Sequence, residues 1–261
     1  MYNATSWLKF GLFSVGLGQS FAFVLVPPLA RDFGLSVIET STIFSISAVA
    51  WAITSASWGR ASDNFGRRNI AVIGLIGYSI SIIALITPLF LVERNILDVT
   101  FLFPLLIMGR LLNGLVGSAT RPAAFAYIAD NSTQDKRTVK FARLESSFLL
   151  GTVAGPLFGG FLILITKETP FYVFSFMSMI ASAGIYLNLK NTTFDGFMSW
   201  ILDLRKQLSI PHTLSELIDD DSKFNEMSKM AKNDPSTGGN PIAFEVSDFY
   251  NLYQDSFKGI L

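Results

Sequence analysis

Two arginines lie where hydrocarbon would be the solvent. Arg110 falls in Gly109-Arg110-Leu111-Leu112-Asn113-Gly114, and Arg121 follows Gly117 in the same apolar run, just before Pro122. A guanidinium at the centre of a membrane span costs roughly 2.5–3.5 kcal/mol on insertion scales, so each must face protein or water. Their eleven-residue separation is about three helical turns, ~16 Å along the axis, and puts both on one face near Asn113. A polar stripe of this kind lines a cavity. Glu145, on the next apolar run, comes within reach of Arg121 if the two helices pack side by side. Such a pair either only neutralises two buried charges or forms a titratable gate, in which protonating Glu145 frees Arg121 for an anionic group. Gln19 is a polar group at mid-depth of the first apolar run. Its amide serves as an interhelical hydrogen bond, the commoner use, or as a substrate contact.

The elements that must carry these groups are read from hydrophobic length. A helix crossing a bilayer needs about 20 apolar residues, and six runs qualify, near 8–30, 38–58, 70–92, 101–129, 143–166 and 171–189. They are continuous rather than alternating, which predicts an all-α membrane protein with a six-transmembrane-helix bundle and not a β-barrel. The first run is longer than a signal-peptide core and lacks its small-residue cleavage pattern, so it is expected to be retained. The third and sixth helices, nearly all Ile, Leu, Phe, Met and small residues, are expected to face lipid. Arg60, Arg67, Arg68 and then Lys136, Arg137, Lys140, Arg143 follow the second and fourth helices, while the alternate loops hold only Arg31, Arg94 and Lys167. This bias puts the N-terminus, both basic loops and the C-terminal tail in the cytoplasm, with the bundle in the plasma (inner) membrane. The formal net charge is zero, which gives no case for nucleic acid. With no Cys and His212 as the single His, no metal site or cofactor is expected.

Glycine and proline mark where backbones turn or touch. Gly59-Arg60-Ala61-Ser62-Asp63-Asn64-Phe65-Gly66-Arg67-Arg68 predicts a short polar loop, with Gly59 and Gly66 allowing tight geometry and close approach, and Asp63 within reach of cations. Pro27-Pro28 should bend or end the first helix. Gly151, Gly155 and Gly159 recur every four residues and form a smooth groove for a neighbouring helix. Pro156 removes one backbone donor there, and Gly160 completes the string.

Three of these strings carry a family likeness. Gly59, Asp63, Gly66, Arg67 and Arg68 resemble the loop between helices 2 and 3 of the major facilitator superfamily, with Ala61 where Leu is usual. Arg110, Asn113 and Gly114 resemble its helix-4 motif, whose arginine is associated with proton coupling or substrate contact. Gly151-x-x-x-Gly155-Pro156-x-x-Gly159-Gly160 is similar to the motif of the antiporter branches, where export against protons is common. The resemblance implies that residues 1–189 are the N-terminal half of a twelve-helix carrier for a small molecule, exporting it in exchange for protons across the lipid bilayer. In that fold the substrate cavity lies between two six-helix bundles, so activity would require a second bundle, from a homodimer or a separate chain.

Residues 190–261 have no run of membrane length and are expected to form a cytoplasmic helical tail. Phe197, Trp200, Ile201, Leu204 and Leu208 share a helical face. Thr213 and Glu216 form a capping box, Phe224, Met227, Met230 and Ala231 continue the apolar pattern, and Asp234 to Pro241 is a breaker-rich loop. Ser247 would cap a last helix with Phe249, Tyr250, Tyr253 and Phe257 inward, ended by Gly259. The spaced Leu204, Arg205, Leu208, Ile210, Pro211, Thr213, Leu214, then Ala231, Asp234, Pro235, Thr237, Asn240, Pro241, then Phe249, Leu252, Tyr253 are similar to the C-terminal end of iron-containing alcohol dehydrogenases. Catalysis is not implied, because the metal and dinucleotide sites of that family lie upstream of this region. The chain thus reads as a fusion joined near 189–193. A small helical piece buries little apolar surface alone, so loose order is expected for the tail. The alternatives to transport are a truncated or chimeric inactive remnant and, least favoured, an oxidoreductase fragment.

Overall fold

A computed structural model describes residues 2–190, 194–239 and 243–259. Among them there are helices and no strands. The chain divides into two compact units, Met1–Gly196 and Phe197–Leu261, a few residues past the boundary expected from composition. The junction at 191–193, the side chains of Phe197 and Trp200, and Asn240-Pro241 lie outside the described residues.

The first unit contains α1 (Tyr2–Asp32), α2 (Val37–Phe65), α3 (Arg67–Glu93), α4 (Leu102–Leu115), α5 (Thr120–Asp130), α6 (Gln134–Leu162) and α7 (Thr169–Asn188). Among the described residues, five stretches are long and apolar enough to cross a membrane: Thr5–Asp32, Val37–Phe65, Arg67–Glu93, Val99–Asp130 and Thr169–Asn188. The expected fifth span near 143–166 falls in α6. That helix has 29 residues, but its first turns are polar and its glycines dilute the rest, so length and composition alone do not mark it.

The ends of these helices depart from the expected boundaries. α2 runs through Asp63 to Phe65 and α3 begins at Arg67, which leaves only Gly66 between them, at φ 87°. The polar string is therefore two helix ends and one hinge residue, because backbone groups that leave the apolar layer stay satisfied by continuing the helix. Gly66 needs its missing Cβ for that φ. Gly59 does not: it sits inside α2, and a Cβ there would meet nothing within 4 Å. α1 continues past Pro27 and Pro28 to Asp32. Ser36 caps α2, its hydroxyl accepting from the Glu39 amide while the Glu39 carboxylate accepts from the Ser36 amide.

The third helix is the largest correction to the lipid-facing expectation. In α3, 61% of the apolar window is buried, against 28% in α2. Apolar composition is the same for a lipid face and a protein face, so it could not decide. Small residues do: Gly74 and Gly77 admit the backbone near Val116–Thr120, and the Ser175 hydroxyl on α7 donates to the Ser79 carbonyl on α3 at 3.1 Å. α7 keeps an exposed apolar face with Tyr172, Phe176, Met179 and Leu187.

The second unit contains most of α8 (Phe194–Gln207), which begins just before the boundary, with α9 (Phe224–Asn233) and α10 (Val246–Lys258). It has its own small core, with Phe224 buried between the rings of Tyr253 and Phe257, 5.7 Å away by centroid in each case. Among the described residues of this unit only Phe224 and Ser228 are buried. The Thr213–Glu216 capping box forms, and Gly259 ends α10 at φ 71°. Two details differ. Glu245 with Asp248, not Ser247, caps α10. Met230 is exposed, and Ser228 takes the inward position because its hydroxyl is satisfied by the Phe224 carbonyl at 2.6 Å.

Candidate functional site

α1, α2, α4, α5 and α6 line a half-open cavity of about 230 Å³. Gln19, Arg110, Asn113 and Arg121 all line it, so the structure brings together four of the five residues expected on the path. Arg110 is 3% exposed. Its guanidinium carbon lies 4.8 Å from the Phe44 ring centre and 5.7 Å from that of Phe23. The two rings are themselves stacked at 4.6 Å. Its Nε and Nη1 have no hydrogen-bond partner, and neither does the buried Thr120 hydroxyl on the same wall. A buried donor left unmatched costs on the order of 1–3 kcal/mol, more for a charged group; the cation–π contacts offset part of that. The site therefore presents a fixed positive donor, flanked by aromatic faces, to whatever enters. Gln19 makes no hydrogen bond among the described residues, so the interhelical bond favoured for it is not formed; its amide lines the cavity instead.

Glu145 reaches the same region from α6. Arg121 donates to both of its carboxylate oxygens, and the Phe148 ring lies 4.8 Å from the Arg121 guanidinium carbon. Both side chains are about one-third exposed. This paired, partly exposed group contrasts with the buried Arg110, whose Nε and Nη1 are unpartnered.

The fourth span is not one helix. α4 stops at Leu115, residues Gly117–Ala119 form a turn of 3₁₀ helix, and α5 starts at Thr120. The break falls between the two arginines. Tightening the helix there frees carbonyls, and α2 collects them: the Thr54 hydroxyl lies 2.9 Å from the Gly114 carbonyl, and the Trp58 indole N–H donates to the Leu115 carbonyl at 2.6 Å. Gly114 and Gly117 permit this, since a Cβ on Gly114 would strike the Ser47 carbonyl and one on Gly117 the Asn113 side chain.

Two further groups hold the walls. Arg67 gathers one end of the bundle, pairing with Asp63 and with Asp130 at 2.9 Å and donating to Ser62 at 2.6 Å. Arg68 stacks on Tyr186 at 4.7 Å. The Asp130 partner was not anticipated. Along the other wall α1 and α6 run parallel in close contact. A Cβ on Gly151 would overlap the Phe13 carbonyl, one on Gly155 the Leu17 carbonyl and Ser20 hydroxyl, and one on Gly159 the Phe21 ring. Pro156 is accommodated within the continuous α6. Gly160 points to open space and takes no part in the seam. Missed at the level of sequence were Phe23, Phe44, Phe148 and Trp51 of the lining, because aromatic residues in a span read equally as lipid contacts. Gly74 and Gly77 of α3 were also missed, although their three-residue spacing carried a packing signal.

Comparison with known proteins places this geometry. The Major Facilitator Superfamily model matches residues 8–195. "Tetracycline resistance protein, class B" of Escherichia coli is 30% identical over 168 residues, 63% of this chain and 38% of that protein. "Quinolone resistance protein NorA" of Staphylococcus aureus is 26% identical over 193 residues, 73% of this chain and 47% of that protein. The chain spans less than half the length of these relatives. The family match stops before the second unit, so the resemblance of that unit to alcohol dehydrogenases gains nothing from it.

Proposed function

The chain belongs to the major facilitator superfamily, a family of transporters rather than enzymes, and from that premise we propose that its bundle is one half of a proton-coupled exporter of small molecules. The chain is accordingly an integral membrane protein. The observation that carries the proposal is Arg110, buried with two unpaired donors on a cavity also lined by Gln19, Asn113 and Arg121, the last of which pairs with Glu145. In this reading Arg110 binds the electron-rich part of the substrate against the Phe23 and Phe44 rings. Glu145 takes up and gives off the proton, and its protonation releases Arg121. A second six-helix bundle, from another copy or a separate chain, closes the open side of the cavity. The Lys and Arg of the two basic loops support a plasma-membrane orientation with the N-terminus and second unit in the cytoplasm. The Arg67–Asp63–Asp130 cluster fastens the cytoplasmic ends of α2, α3 and α5 in one of the two access states.

The test is efflux from vesicles containing the full chain, with an imposed proton gradient and either tetracycline or a quinolone as the probe. Those probes follow from the relatives' names. Gradient-dependent transport is expected. Glu145→Gln should abolish the dependence on the gradient while substrate binding persists. Unchanged gradient-driven flux in Glu145→Gln overturns the gate. Absence of transport by the wild-type chain, alone and with a supplied C-terminal half, overturns the exporter.

A further inference from the structure

A second cavity, also of about 230 Å³, opens where α1 begins, between α1, α5 and α6. Lys9, Lys140 and Arg143 line it with Tyr127 and Asn131, and no carboxylate is among its lining residues. Lys140 donates to the Asn131 carbonyl at 3.0 Å. Among the described residues, Lys9 and Arg143 form no ion pair. The contrast within the same bundle is direct. Arg67 faces two aspartates and Arg121 faces a glutamate, whereas three cations here line one concavity with no carboxylate among the described residues that line it. Like charges around a shared cavity repel, so the arrangement is uphill unless an anion completes it. The inner wall is apolar, with Ile128 and Leu144 buried.

We propose that this cavity binds a phosphate group, presented by an anionic phospholipid headgroup or as free inorganic phosphate. Arg143 supplies a planar fork suited to two phosphate oxygens, and the lysines supply point charges on either side. Basic pockets between spanning helices at a membrane surface have the chemistry of a headgroup site. The apolar inner wall matches the glycerol and first acyl carbons of a lipid, which free phosphate lacks. The site is separate from the Arg110 cavity and does not depend on the transport reading. It ties α1, α5 and α6 together at their common end.

The experiment is native mass spectrometry and thermal unfolding of the full chain in neutral detergent, titrated with phosphatidylglycerol, phosphatidylcholine or inorganic phosphate. The cavity variant is Lys9→Gln with Arg143→Gln, which spares the Lys140–Asn131 contact. The control variant is Arg60→Gln with Lys136→Gln, which removes two cations outside the cavity. Phosphatidylglycerol is expected to bind the wild type and raise its unfolding temperature. Removing two surface cations each worth about fivefold should weaken binding by at least about tenfold in the cavity variant and by much less in the control. Saturable binding of inorganic phosphate, lost in the cavity variant, would assign the site to free phosphate and still support it. Equal weakening in both variants, or binding of phosphatidylcholine as strong as that of phosphatidylglycerol, overturns the proposal. Should the double variant misfold, the single Lys9→Gln is read the same way, with a smaller expected loss.

Discussion

Arg110 and Arg121 have the same side chain on the same wall and opposite circumstances. Arg121 is matched by Glu145 and about one-third exposed; Arg110 is buried, without an ion-pair partner, and lies against a stacked pair of phenyl rings. Charge alone therefore does not define what Arg110 does, since its planar guanidinium also stacks. Arg110→Lys keeps the charge and loses the stacking and the fork, and is expected to lower probe binding by at least about tenfold as read by equilibrium binding, if two directed hydrogen bonds of ~1 kcal/mol each are lost. Phe44→Leu should cost about 0.5–2 kcal/mol of the same binding, by removing the closer ring, with little change in the fold. Equal affinity in both variants would mean that Arg110 is only a structural charge.

At the scale of elements, the α1–α6 seam and the broken fourth span set the geometry. The seam depends on absent side chains at Gly151, Gly155 and Gly159, where any Cβ runs into backbone or a ring. Gly151→Leu should lower the unfolding temperature in detergent sharply or prevent assembly. Gly59→Ala and Gly160→Ala, in open space within helices, should instead be neutral or add up to about 1 kcal/mol of stability from helix propensity. Destabilisation of the same size in all three would contradict the packing. The string of glycines could be recognised in the sequence; which of them touch a neighbour could not, because spacing gives a face and not what lies against it. The break at Gly117–Ala119 was likewise hidden. A hydropathy run has no marker for a turn whose freed carbonyls are taken up by Thr54 and Trp58 from another helix. Trp58→Phe removes that donor and is expected to raise amide exchange at residues 114–120 while leaving α3 and α7 protected.

For the whole molecule, the two units should respond to pH separately. In the second unit the Thr213 and His212 amides hold the Glu216 carboxyl below the usual carboxylate range, and the Ser222 and Ser236 side chains do the same for Asp220 and Asp234. A carboxyl lowered on folding contributes stability above its unfolded value, about 4, and that contribution is lost as pH falls through the lower folded value. Acidification is expected to loosen the turns around Glu216, Asp220 and Asp234, read by amide exchange at 212–216, 220–222 and 234–236. Glu216→Gln should flatten the acid limb while lowering stability at neutral pH. A single transition common to both units at all pH values would sink the division into two.

The sequence by itself determined that this is a helical membrane protein of the major facilitator superfamily, and which of its apolar runs carries Arg110 and Arg121. Hydrocarbon length, the Lys and Arg bias and the placement of Arg110 and Arg121 are one-dimensional quantities, and the chemistry behind them acts locally. Only the tertiary structure decided that α3 is interior, that Asp130 shares Arg67 with Asp63, that the stacked Phe23 and Phe44 lie against Arg110, and that three cations line one pocket. Those facts are contacts between helices. Apolar side chains have the same composition whether they meet lipid or a neighbour, and a charge does not state its partner until the backbones that carry both have been packed.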